Sequence, residues 1–336
     1  MESTFLVVTS IAGSENPVLR KFATDAILNN IPFIVIGDTK SPKEFSLHGC
    51  DFYSIDRQKS LNWKIAKALP VKHYARKNLG YLIAMYKGAE IIIETDDDNF
   101  PFQNFWKERK REVNAYRLVN KDWVNVYKYF TENHIWPRGF ALDKIMNALP
   151  STCDVVQVIC SIQQGLADNN PDVDAFYRLT LPLPIKFKQH ENIALGVNTW
   201  CPFNSQNTTW FKEAFPLLYL PSYCNFRMTD IWRSFVAQRI AWTYHWNILF
   251  HDSTVWQERN DHNLMNDFRD EIVGYLNNGE IVAELNRLKL KEGAESIFDN
   301  LIKCYQLLID MNLVGNSELT LVELWIEALN NIYNFE

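Results

Sequence analysis

Residues 76–99 read RKNLGYLIAMYKGAEIIIETDDDN, and the parsing of this stretch decides the fold. Over 76–87 the apolar Leu79, Leu82, Ile83 and Tyr86 recur at helical spacing, and Gly88 is the kind of residue that ends a helix. Residues 90–95 follow as a nearly continuous apolar run, the pattern of a strand buried on both faces. That run stops at Asp96, Asp97 and Asp98, adjacent carboxylates that repel one another and need a compensating partner. In an extended backbone alternate side chains share a face, so Asp96 and Asp98 are expected on one side and Asp97 on the other.

Upstream, the same alternation of elements recurs. Residues 4–9 (TFLVVT) and 33–36 (FIVI) are short apolar, β-branched runs closed by turn residues. Between them Asn16-Pro17 opens a helix with Val18, Phe22, Ala26 and Ile27 on one face. A β-α-β order with continuous apolar strands predicts an α/β class with a mostly parallel sheet. Ligands of such sheets bind beyond the carboxyl ends of the strands, where Thr9, Asp38 and the acidic triplet fall. Downstream, 155–160 and 246–250 read as strands and 230–242 as a helix, and helical periodicity prevails from 262. The expected organisation is a domain over 1–261, with a nucleotide-binding half (1–100) and an acceptor half (101–261), then an all-α appendage over 262–336.

Composition narrows the partners. A net charge of −6 provides no cationic face for nucleic acid. The six cysteines include no CxxC pair, so reduced thiols are expected. The N-terminal segment has an acid where a signal peptide is basic, and its apolar run is too short to span a bilayer. A cytoplasmic location without an integral membrane segment is expected, with peripheral membrane attachment as its furthest departure. Asn207-Thr208-Thr209 is formally a glycosylation sequon, expected to be unmodified. Neither GxxxxGK[ST] nor GxGxxG occurs, which removes the main support for P-loop and dinucleotide readings.

Four segments carry candidate chemistry. Asp96 and Asp98 on one face leave room for a Mn²⁺ or Mg²⁺ ion whose other positions are filled by water and pyrophosphate oxygens; the alternative is a solvated acidic turn. An EF-hand counted from Asp96 is excluded, since Pro101 and Lys107 stand where Gly and Glu are required. Arg76, Lys77 and Asn78 gather donors at a helix start, an arrangement suited to phosphate, or else form a solvated basic turn. Asp230, at the start of the next helix, is either a simple N-cap or a carboxylate that takes a proton from a sugar hydroxyl or holds the donor sugar. His251, placed at the carboxyl end of the strand over 246–250, is a structural histidine or a late metal ligand. Residues 202–210 (PFNSQNTTW) read as a polar loop suited to hydroxyl-rich ligands.

The runs RKNLGYLIAMYKGAEIIIETDDDN, DVDAFYRLT (172–180), PFNSQNTTWFKEAFPLLYLP (202–221), RMTDIWRSFVAQRIAW (227–242) and HDSTVWQERNDHN (251–263) together resemble the STELLO glycosyltransferase family. They resemble more distantly the reversibly glycosylated polypeptides, which are UDP-arabinopyranose mutases. The colinear resemblance covers roughly residues 5 to 285. It implies a GT-A type, Rossmann-like fold with helices on both sheet faces, a DxD-type acidic motif and a metal-dependent glycosyltransferase that moves a sugar from a nucleotide-sugar donor, a UDP-sugar, to a glycan or other hydroxyl acceptor. Matched by position, Asp96, Asp97 and Asp98 are the acidic motif, with Asp98 the metal ligand and Asp96 at the metal or ribose. Arg76, Lys77 and Asn78 would face the diphosphate, Thr9 and Asp38 the base, Asp230 would be the catalytic acid residue of the acceptor half, and His251 a late metal ligand. Two alternatives remain open: a nucleotide-sugar mutase, whose glycosylated-arginine motif is absent although Arg138 in WPRGF lies in a comparable region, and a non-catalytic scaffold or regulator of other transferases.

Overall fold

A computed structural model describes residues 2–152, 154–258 and 263–333, the side chain of Ala294 excepted. Cys153, residues 259–262 of the last resemblance run and the expected boundary at 261 lie outside the described residues. In chain order the first half comprises β1 (Thr4–Thr9), α1 (Pro17–Asn29), β2 (Phe33–Ile36), β3 (Asp51–Tyr53), α2 (Ile55–Lys59), α3 (Lys64–Ala68), α4 (Lys77–Tyr86), β4 (Ile91–Asp96) and β5 (Asn99–Pro101). There follow β6 (Glu112–Leu118), β7 (Asp122–Trp123), β8 (Val155–Ile159), β9 (Ile162–Asp168), α5 (Ala175–Thr180), β10 (Ile193–Leu195), β11 (Thr199–Trp200) and β12 (Asn207–Phe211). The chain ends in α6 (Thr229–Ala241), β13 (Ile248–Gln257), α7 (Leu264–Arg287), α8 (Ile297–Asp310) and α9 (Glu318–Tyr333).

The main sheet runs β3-β2-β1-β4-β12-β9-β13-β10-β6-β8, with β5 on β13. Its first four strands are all parallel, as their continuous apolar runs predict. Alternation of side chains divides two cores: Leu6, Val8, Phe33, Val35, Ile91 and Ile93 meet α1 on one face, while Val7, Ile34, Ile36 and Ile92 join the larger core on the other. Helix α4 covers that second face, and a Cβ on its Gly80 would lie 2.5 Å from Val7 Cγ1, so only glycine lets helix and sheet approach this closely. Beyond β4 the sheet becomes mixed, because β12 is antiparallel to both β4 and β9.

Of the expected loop over 202–210, residues 202–206 are irregular as expected, while 207–210 belong to strand β12. It is buried throughout yet mostly polar, so no apolar period betrayed it. Its polar groups are satisfied internally: Thr208 Oγ1 bonds Asn204 O at 2.6 Å, and Asn207 Nδ2 donates to Leu166 O and Thr254 Oγ1 at 3.0 and 2.8 Å. The Asn207 sequon is therefore inside the sheet, inaccessible to a glycosylating enzyme.

Helix α6 is buried on nearly every side, which explains its lack of an apolar stripe. From it Arg233 reaches Glu94 in the middle of β4 at 2.7 Å, and Trp210 Nε1 donates to the same carboxylate at 2.8 Å; both charged side chains are essentially inaccessible. The C-terminal segment is helical as expected. Helix α9 packs on α3, α4 and α8, α7 and α8 pack on α6, and residues of all three C-terminal helices belong to the larger core.

Candidate active site

The carboxyl ends of β1, β2 and β4 open into a cavity of about 340 Å³. Its wall includes Thr9, Ser10, Asp38, Tyr74, Arg76, Asp97 and Phe226. Asp38 anchors the loop beside it, accepting from the backbone N–H groups of Lys72 and His73 at 2.9 and 3.0 Å. Arg76 is buried, donating to Gln58 Oε1 at 2.6 Å and Leu69 O at 2.9 Å, and its Nη2 has no hydrogen-bond partner among the described residues. A buried, unpartnered guanidinium nitrogen at a cavity wall is a ready anion donor. His73 and Tyr74 stack with ring centroids 5.7 Å apart, and Phe226 meets both edge-on.

Across the acidic turn lies a second cavity of about 170 Å³, with Asp96, Asp98, Arg138, Asp172, Arg227, Asp230 and Gln257 in its wall. The turn thus separates its own side chains: Ser10 Oγ donates to Asp97 on one side, while Asp96 and Asp98 line the other. Lys77, fully buried, donates to Thr95 O at 2.9 Å and to Asp96 Oδ1 at 3.1 Å. Asp98 Oδ2 accepts from Gln257 Nε2 at 3.0 Å, but its buried Oδ1 has no partner among the described residues. Burial, reinforced by the charge of Asp96, pushes the Asp98 carboxyl up to about 7. No group of three or more His, Cys, Asp or Glu poised for a metal occurs among the described residues. An orphaned carboxylate oxygen facing a cavity with a second carboxylate nevertheless fits a hard divalent cation that draws its other ligands from water and substrate.

Asp230 lies on the opposite wall in a closed network. Arg138 holds it in a fork, Nη2 to Oδ2 at 2.9 Å and Nη1 to Oδ1 at 3.1 Å, and grips Asp172 through Nε and Nη2 at 2.8 and 2.9 Å. The Ser205 N–H donates to Oδ2 at 3.2 Å and the Tyr74 hydroxyl to Oδ1 at 3.2 Å. Burial works to raise the carboxyl, but Arg138 outweighs it and holds Asp230 at about 2. A group so acidic, with both oxygens engaged, is poorly matched to proton abstraction near neutral pH.

Lys77, buried against Asp96, lines neither cavity itself, and Asn78 and His251 are not brought here. Asn78 gives both ends of its amide to the backbone of Leu220, Nδ2 to O at 2.8 Å and Oδ1 from N–H at 2.9 Å, and lines neither cavity. His251 is not at a strand end, because β13 continues to Gln257, and it is Gln257 that meets Asp98. The His251 ring lies beside Gly165, with Nδ1 2.9 Å from Asp252 O, and burial followed by the charge of Arg109 lowers its pKa to about 4. The residues that sequence reasoning did not assign to the site are Arg138, Asp172, Arg227, Tyr74 and Gln257. An arginine inside the apolar WPRGF is the one local sign of a buried ion pair among them.

These features can be set beside known proteins. The model of the STELLO glycosyltransferases matches residues 227–336. Probable glycosyltransferase STELLO2 of Arabidopsis thaliana is 27% identical over 317 residues, 88% of this chain and 41% of that protein. By these matches the chain is similar to the STELLO family. A second Arabidopsis member, probable glycosyltransferase STELLO1, is 30% identical over 230 residues, 62% of this chain and 30% of its own length. The chain therefore spans less than half the length of the curated relatives it matches. Among solved structures, glucosyl-3-phosphoglycerate synthase from Mycobacterium tuberculosis in complex with phosphoglyceric acid covers 83% of this chain and 80% of its own, with a TM-score of 0.42 and 8% identity. Its complex with Mn²⁺, uridine-diphosphate-glucose and phosphoglyceric acid has the same coverage and TM-score at 9% identity. Among the described residues, no helix is long and apolar enough to cross a membrane.

Proposed function

We propose that this chain is a metal-dependent glycosyltransferase that moves a sugar from a nucleotide-sugar donor to a hydroxyl acceptor. The observation that carries the reading is the acidic turn shared by two cavities, with Asp97 lining one and Asp98, whose buried Oδ1 is orphaned, lining the other. The larger cavity falls within the size of small-ligand sites and offers rings beside the free Arg76 nitrogen, features that support binding of a nucleoside and its first phosphate. Thr9 and Asp38 would border the base there, and a UDP-sugar is the donor proposed.

Asp98, with Asp96, would hold Mn²⁺ or Mg²⁺, which when bound supplies Lewis acidity to the leaving diphosphate. The chain's own residues do the remaining work. Lys77 fixes the orientation of Asp96 from a buried position, and Gln257 fixes that of Asp98. Asp230 is assigned to positioning, since its engagement with Arg138 tells against its acting as the base. The division at 261 into a transfer domain and a helical appendage, and a glycan acceptor, belong to the same proposal.

Calorimetric titration of the full chain with UDP-glucose and UDP-galactose, with and without Mn²⁺, tests it. Binding that requires the metal is expected. A chain that binds no nucleotide sugar under either condition sinks the reading and returns the scaffold alternative.

A further inference from the structure

We infer that Glu271 of α7 is a positioning residue of the transfer site, holding Arg227 so that its free guanidinium edge meets the distal phosphate of the donor. The inference rests on the nucleotide-sugar reading above. It begins with a comparison of the cations around the second cavity. Lys77 is committed to Asp96 and two backbone carbonyls, every nitrogen of Arg138 is engaged by Asp172, Asp230 or the Arg227 carbonyl, and Arg178 is tied to Asn170 Oδ1 and the Pro171 carbonyl. Arg227 differs: Nε and Nη2 both donate to Glu271 Oε1, at 2.9 and 2.6 Å, and Nη1 makes no hydrogen bond among the described residues. Its side chain is 18% accessible and lines the cavity that Asp96 and Asp98 share. It is thus a cation with one edge fixed and one edge open, placed where charge on a departing diphosphate would need stabilising.

Glu271 is fully buried. Its second oxygen accepts from the Ala175 N–H at 2.6 Å and from the Tyr275 hydroxyl at 2.7 Å, so one carboxylate holds both the turn carrying Arg227 and the start of α5, just after Asp172. A buried carboxylate persists only when its oxygens are matched in this way. Its restraint of Arg227 has a second effect. Four aspartates, Asp96, Asp98, Asp172 and Asp230, line the same cavity, and an unrestrained Arg227 would be drawn to them and its charge neutralised before substrate arrived. The C-terminal helices are on this account a working part of the site.

The test is calorimetric titration of the full chain with UDP and with UMP in the presence of Mn²⁺, the two ligands differing by the distal phosphate. Glu271→Gln is expected to lower UDP affinity about tenfold while leaving UMP affinity unchanged. Glu271→Asp should recover part of that loss. Arg227→Gln, at a partly accessible position, should show the same UDP-selective loss, and combining it with Glu271→Gln should add nothing further. An unchanged UDP-to-UMP ratio in Arg227→Gln or Glu271→Gln overturns the inference, as does an equal loss for both ligands, the mark of a merely structural residue. Should Glu271 variants fail to fold, the Arg227→Gln ratio decides alone. A wild-type chain that binds neither nucleotide sinks the nucleotide-sugar reading itself, an outcome distinct from binding that the variants leave untouched.

Discussion

The two cavities on either side of the acidic turn are built differently. The larger one gathers Thr9, Ser10, Gly37, Asp38 and Asp97 from the ends of adjacent parallel strands, with the 72–76 segment beside them. Its position follows from the β-α-β order alone, since each strand of a parallel sheet delivers its carboxyl end to the same edge. The smaller cavity draws on Asp98, Arg138, Asp172, Arg227, Asp230 and Gln257, residues far apart in the chain. Nothing local specifies it; long-range ion pairs do. The larger cavity is thus a property of the sheet, while the smaller one is a property of the tertiary packing.

The largest effect should come from a residue of the acidic turn between them. Asp98→Ala is expected to lower Mn²⁺-dependent UDP-sugar affinity by more than about 100-fold, beyond the usual cost of changes around a metal's ligands, while UMP binding in the larger cavity persists. Loss of both would mean that the cavities are not separable. Without metal the same carboxylate is a burden. Its raised folded-state pKa means that its charged form disfavours folding above the unfolded value near 4, so in a chelator Asp98→Asn should stabilise the chain by about 2 kcal/mol at pH 8. That gain should vanish below pH 4, where Asp98 is protonated in both states; urea titrations at the two pH values would detect it.

Next in size is Asp230→Asn. Removing one charge leaves Arg138 buried with a single carboxylate, so a loss of about 3 kcal/mol is expected in urea unfolding. If Asp230 is a positioning group, the pH–rate profile of the weakened variant should keep the wild-type shape; a limb that disappears would restore it as the base. Asn78→Ala should cost about 2 kcal/mol of stability through the two lost backbone bonds to Leu220, with donor affinity unchanged. A fall in donor affinity with stability intact would return Asn78 to the diphosphate. The smallest effect on binding is expected of His251→Ala, which should leave the Mn²⁺ dependence as it is. Loss of that dependence would place His251 at the metal.

The contrast also explains what could be read from the sequence. The parallel strands, the helix over 76–87, the acidic strand end and the helical C-terminal segment were legible because apolar period and turn residues specify each locally. Strand β12 was not, because Asn207, Thr208 and Thr209 satisfy one another's neighbours inside the sheet and carry no apolar signal. His251 was misplaced for a related reason: β13 changes register between His251 and Val255 and continues, where the polar HDS looked like an end. The partners of Asp230 were invisible, since no spacing relates residue 138 to residue 230.

The ion pair between Glu94 and Arg233 bears on how this chain can change over time. Glu94 stands on the strand that ends in Asp96, and Arg233 on the second turn of the helix that begins at Thr229, so the pair clamps the two walls of the smaller cavity together. Neither partner can be exchanged alone without leaving a full charge in a dry interior. Lineages that alter one should alter the other in the same step or lose the protein, and an alignment of related chains should show the two positions varying as a single character.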